Sequence, residues 1–69
     1  MILPRYGVKW DDGPITWYHT ARTAYRRLQE IRTQSPDDAV FVYDRRANGQ
    51  PRMIFRYQLQ EAADLERTA

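Results

Sequence analysis

The sequence predicts an α+β fold: a small four-stranded antiparallel sheet (ββαββ) with one helix packed on one face and a short C-terminal helix. Three observations carry that expectation. Tyr6, Val8 and Trp10 alternate with Arg5, Gly7 and Lys9 ahead of an Asp12-Gly13 turn signal, the period-two pattern of a half-buried strand entering a hairpin. Ala21, Ala24, Tyr25, Leu28 and Ile31 recur at steps of three and four, which aligns them in one apolar stripe on a helix. Two aromatic-rich runs between Phe41 and Tyr57 then flank Asn48-Gly49, a second hairpin signal.

In the first hairpin Pro14 follows the turn, where no ladder donor is required. A two- or four-residue loop would set Trp10 opposite Ile15, Val8 opposite Trp17 and Tyr6 opposite His19. Those six side chains would share the core face, leaving Lys9, Thr16 and Tyr18 on the other. Thr20 is the expected N-cap of the helix, and Pro36 ends it. Arg22, Arg26, Gln29 and Thr33 fall opposite the apolar stripe, with Arg26 and Glu30 spaced to pair. Trp10, Trp17 and Leu28 are the expected anchors of the core.

The second hairpin admits two registers, and a slip of one residue exchanges its faces. If Asn48-Gly49 alone forms the loop, Arg45 meets Arg52, and Phe41, Tyr43, Ile54 and Arg56 share a face. That layout would suit base stacking and phosphate contact. If the loop is Ala47-Asn48-Gly49, Asp44 meets Arg52, Val42 meets Ile54 and Val40 meets Arg56. Phe41, Tyr43, Met53, Phe55 and Tyr57 then gather on the opposite face as a core. The second register replaces a like-charge pair with an ion pair and is preferred. Residues 1–57 are thus expected to form the ββαββ domain. Residues 58–69 form a short helix or tail in which Leu59, Ala62 and Ala63 share a face and Leu65 lies off it.

Composition narrows the chemistry. Sixty-nine residues support one small core. The chain has no cysteine and one histidine, so neither a disulfide framework nor a zinc site is expected, and no cofactor is expected. No apolar run reaches the ~20 residues a membrane helix needs, and the N-terminal residues do not read as a signal peptide. The expectation is a cytoplasmic protein without membrane contact. Ten of the eleven basic residues are Arg, and the net charge is +2. The acidic pairs Asp11-Asp12 and Asp37-Asp38 precede a turn or strand, where Asp serves its own backbone. His19 has no nucleophile or carboxylate set beside it by the expected hairpin, so no enzymatic activity is expected. A domain this small is also expected to offer little concavity.

Two binding functions compete. Arg22, Arg26, Arg27, Arg45, Arg46 and Arg52 could form a nucleic-acid surface. However, nine acidic residues offset the eleven basic ones, and useful phosphate affinity takes ~6–10 contacts. The favoured expectation is a small non-enzymatic protein-binding module, a regulator, adaptor or inhibitor of the kind found in phages and mobile elements. Its partner-binding surface would be an apolar outer sheet face of Tyr18, Val40, Val42 and Ile54 edged by Arg52 and Arg56. The same row would serve a homodimer.

Overall fold

The computed structural model describes residues 3–46 and 49–68. Along them run β1 (Tyr6–Trp10), β2 (Ile15–Tyr18), α1 (Ala21–Gln34), β3 (Val40–Asp44), β4 (Arg52–Ile54) and α2 (Arg56–Thr68). The strands make one antiparallel sheet ordered β2-β1-β3-β4, and the fold is α+β as expected. Among the described residues no helix is long and apolar enough to cross a membrane.

Helix α1 follows its sequence signals closely. Thr20 is extended at the N-cap, and its hydroxyl accepts from the Thr23 N–H at 3.2 Å, removing one of the unpaired donors at a helix start. Ser35, just before Pro36, closes the last turn with its N–H on the Ile31 carbonyl. Ala21, Ala24, Leu28 and Ile31 are buried, and Tyr25 packs against them. The acid partner on this helix is Arg27, whose Nη1 lies 3.6 Å from Glu30, rather than the expected Arg26.

The first hairpin is shifted by one residue from the expected register. Tyr6 pairs with Tyr18, Gly7 with Trp17, Val8 with Thr16 and Lys9 with Ile15. The cause lies in the loop. Trp10 continues the strand by pairing with Val40 of β3, while its carbonyl accepts the Gly13 N–H at 3.0 Å. Asp11 bends the chain at φ 55°, a left-handed conformation that Asp tolerates better than most residues. Five residues therefore separate Lys9 from Ile15, and an odd loop exchanges the faces of β2. Trp17 leaves the core side, Tyr18 joins it, and His19 ends up exposed beyond the strand instead of facing Tyr6.

In the second hairpin Val42 pairs with Ile54 and Asp44 with Arg52, as in the preferred register; the turn residues Ala47 and Asn48 lie outside the described residues. The expected Val40–Arg56 pair does not form, because β4 ends at Ile54 and Arg56 already opens α2. The assignment of faces is also inverted. Strand β3 pairs with β1, setting Val42 beside Val8 and Val40 beside Trp10, and Val8 and Val42 are both 2% exposed. The valines and Ile54 therefore lie against the helices. Phe41, Tyr43 and Met53 take the opposite, outer face.

Helix α2 starts two residues before the expected boundary. Gln58 reaches back to accept the Phe55 N–H at 2.8 Å, and the Phe55 carbonyl accepts from Gln58 and Leu59. This is half of a capping box, with Gln in the third helical position. Leu59 and Ala63 are buried in the same cluster as Val8, Leu28 and Val42, so α2 lies beside α1 on one side of the sheet. Leu65 is off that stripe and 70% exposed. Glu66 ties the helices together: its carboxylate accepts the Ala21 N–H at 2.7 Å and the Arg22 N–H at 3.0 Å. A carboxylate at a helix N-terminus is favoured both by the hydrogen bonds and by the helix dipole.

Candidate binding face

With both helices on one side, the sheet's other side has no covering element among the described residues. It is built from alternate positions of all four strands: Gly7 and Lys9, Ile15 and Trp17, Phe41 and Tyr43, and Met53. Phe41 is 37% exposed and Met53 60%, while Ile15, Trp17 and Tyr43 are half-buried by one another and by the sheet. None of these positions carries a carboxylate.

Gly7 sets the relief of this face. A β-carbon there would stand 2.7 Å from Ile15 Cγ2 and 3.0 Å from the Trp17 ring, closer than carbon atoms pack. Only glycine lets the indole settle over the strand. The Arg45 guanidinium then lies 4.2 Å from the Trp17 ring centroid, a cation–π contact, and donates from Nη2 to the Pro4 carbonyl at 2.7 Å. Arg45 Nε is buried without a partner among the described residues. Trp17 is thus held between Gly7 and Arg45, which fixes its position and leaves Phe41, Tyr43 and Met53 as the accessible apolar surface.

The residues expected to bind a partner are distributed otherwise. Val42 is buried, and Tyr18, Val40 and Ile54 pack against the helical core, so that row cannot serve as an open surface. Arg52 and Arg56 are exposed at the ends of β4 and α2. The six arginines considered for nucleic acid do not share a surface either. Arg22 and Arg26 project from α1, and Arg27 lies over the Trp10 ring at 5.7 Å. Arg45 is on the far side of the sheet. The missed signal was the glycine: Gly7 in a strand, facing Trp17 in the next, marks a site of close approach. Pairing β3 with β1 as well as with β4 would have located the open face.

Polar chemistry concentrates at the other end of the sheet. Arg5 grips Asp44 with two hydrogen bonds, Nε to Oδ1 at 2.8 Å and Nη2 to Oδ2 at 3.1 Å. The expected partner, Arg52, sits opposite in register, but Arg5 takes the carboxylate, with Arg46 3.9 Å away. The Asp44 bond holds the Arg5 guanidinium above its usual range. Burial pushes the Tyr6 phenol up, against the lowering pull of Arg5, whose guanidinium lies 5.0 Å from the ring. A cleft of about 960 Å³ opens here between the β3–β4 end and α2, lined in part by Arg46, Arg52, Ile54, Leu65 and Glu66. This is more concavity than the chain length suggested. Asp38 proves structural, accepting from the Trp10 indole at 2.9 Å. Among the described residues no three His, Cys, Asp or Glu side chains are grouped to hold a metal ion. No protein-family model, curated protein or solved structure matches the chain.

Proposed function

We propose that the protein is a non-enzymatic protein-binding module, acting as a regulator, adaptor or inhibitor, whose docking surface is the outer face of the sheet. One observation carries this reading: Ile15, Trp17, Phe41, Tyr43 and Met53 lie together on a face that neither helix covers. Aromatic residues, Met and Arg are the types enriched where proteins meet. Rings held in place also bind with less loss of side-chain freedom.

The charge pattern supports a partner of complementary chemistry. Among the face's own strand positions Lys9 is the charged side chain and none is a carboxylate, and the Arg45 guanidinium lies over Trp17 beside it. The complementary surface is an apolar patch bordered by Asp or Glu. Single-stranded nucleic acid, which would use the same rings, is the weaker occupant. The Trp17 ring is taken up by Gly7 and Arg45, and the helix arginines are on the opposite side.

Capture of interacting molecules at ~0.5 M salt, where exposed charge contacts are screened within a few ångströms, tests the proposal. One protein should remain bound to the parent chain and be lost on Phe41→Glu. Recovery of nucleic acid alone, released as salt rises, would overturn it.

A further inference from the structure

The two edges of the sheet are not equivalent. The Asp11 N–H on Ala39 and the Arg45 N–H on Arg5 place the odd positions of β1 in the hydrogen-bonded pairs with β3. Antiparallel pairs alternate, so the even positions, Tyr6 and Val8, turn to β2 and bond Tyr18 and Thr16. The N–H and C=O groups of Ile15 and Trp17 therefore point away from the sheet. The same alternation on β3 sends Val42 and Asp44 to Ile54 and Arg52, leaving only Met53 directed outward from β4. That second edge is three residues long, is preceded by Pro51 and runs into α2 at Arg56. Short length, proline and charge are the usual protections of an edge. Strand β2, Ile-Thr-Trp-Tyr, is also short and follows Pro14, but it directs two residues outward instead of one, carries no charge and consists entirely of good strand formers.

We infer that β2 is a pairing edge whose partner is β2 of a second copy of this chain, joined antiparallel about a two-fold axis through Thr16. This inference concerns the edge and stands apart from docking on the outer face. In this register Ile15 meets Trp17 of the partner copy and Trp17 meets Ile15. Each pair exchanges two backbone hydrogen bonds, and the outward groups of both residues are satisfied. The strand is self-complementary in side chains as well. On the outer face the contacts are an aromatic ring against a β-branched side chain, a favourable cross-strand pair. No charge occurs in the strand, so the two-fold axis brings no like charges together. A heterologous strand would need its own match to this pattern, whereas a second copy carries one. The product is a continuous eight-stranded sheet.

The test is sedimentation of the full chain from about 5 to 500 µM, a range that brackets micromolar dissociation constants, with amide exchange read residue by residue. The mass should rise from 8.3 kDa toward twice that value. Over the same range the Ile15 and Trp17 amides should become protected while the Met53 amide does not change. Replacing Ile15 by Pro, which removes an outward donor and no bond of the sheet, should hold the chain monomeric. An 8.3 kDa mass throughout, or a dimer in which the Ile15 and Trp17 amides exchange as fast as in the monomer, would overturn the inference. Protection that appears only when a different protein is added would do so too.

Discussion

The two faces of this sheet are made from the same strands and differ in what covers them. The inner row, with Tyr6, Val8, Trp10, Tyr18, Val40, Val42 and Ile54, lies under two helices whose contact stripes are rich in alanine. Small helix residues bring the backbones close, and β-branched side chains fill the narrow gap that remains. The outer row, with Ile15, Trp17, Phe41, Tyr43 and Met53, has no helix over it among the described residues. On β3, size and hydrophobicity alone would have put Phe41 and Tyr43 in the core. Geometry put the valines there. The helices cover one face of the sheet, and under the proposed function the uncovered apolar face is the one that docks a partner.

The sharpest way to break this contrast is to place charge on each face in turn, at adjacent positions of β3. Val42→Lys puts an ammonium into the buried cluster that holds Val8, Leu28 and Leu59, where no buried residue of those described is charged. Burying an unpaired charge costs upwards of about 4 kcal/mol, so this variant should be unfolded or close to it by circular dichroism. Phe41→Glu sets a carboxylate opposite Lys9, a favourable cross-strand pair, and should shift stability by no more than about 1 kcal/mol. Equal losses in the two variants would erase the distinction between the faces.

Gly7→Ala probes how the outer row is seated. The added methyl meets Ile15 and the Trp17 ring, and overpacking of this kind costs about 1–3 kcal/mol. Trp17 fluorescence should also change as the ring lifts away from Arg45. A fully stable variant with an unaltered spectrum would mean that the indole does not lie over Gly7.

Glu66→Ala acts on the covered side. It leaves the Ala21 and Arg22 N–H groups without their acceptor, a loss comparable to a missing helix cap, about 1 kcal/mol. Urea unfolding reads this directly, and a midpoint equal to that of the parent would remove Glu66 from the account.

The smallest effect is in pH. Burial raises the Tyr6 phenol above its ordinary 10.0, so the folded chain keeps a proton that the unfolded chain has lost. That contribution is fully present below pH about 10 and is lost as pH climbs through the folded value. Urea midpoints on either side of that pH should fall on the alkaline side. Tyr6→Phe should flatten the Tyr6 part of the dependence, and an unchanged profile would count against a buried phenol.

Much of the fold was legible because local signals agreed with one another. Thr20, Pro36 and the alanine-leucine stripe delimit α1, and Asp44 opposite Arg52 settles the second hairpin. What stayed hidden depended on parity or on long-range pairing. The five-residue connection after Lys9 reversed β2, which moved Trp17 outward. The β1–β3 pairing, between segments about 35 positions apart along the chain, decided which row of β3 met the helices. Arg5 claimed Asp44 from 39 positions away, and no local pattern announces that. The candidate surface was therefore anticipated as an apolar outer sheet face beside arginine, but with the wrong residues on it.

Phe41→Glu puts the central claim to its most direct test when stability and partner capture are measured on one preparation. A change of 1 kcal/mol moves the melting temperature of a domain this size by about 4–8 °C. The account predicts a melting temperature within that range of the parent's and loss of the captured protein at ~0.5 M salt. A folded Phe41→Glu variant that retains its protein partner as the parent does would contradict it.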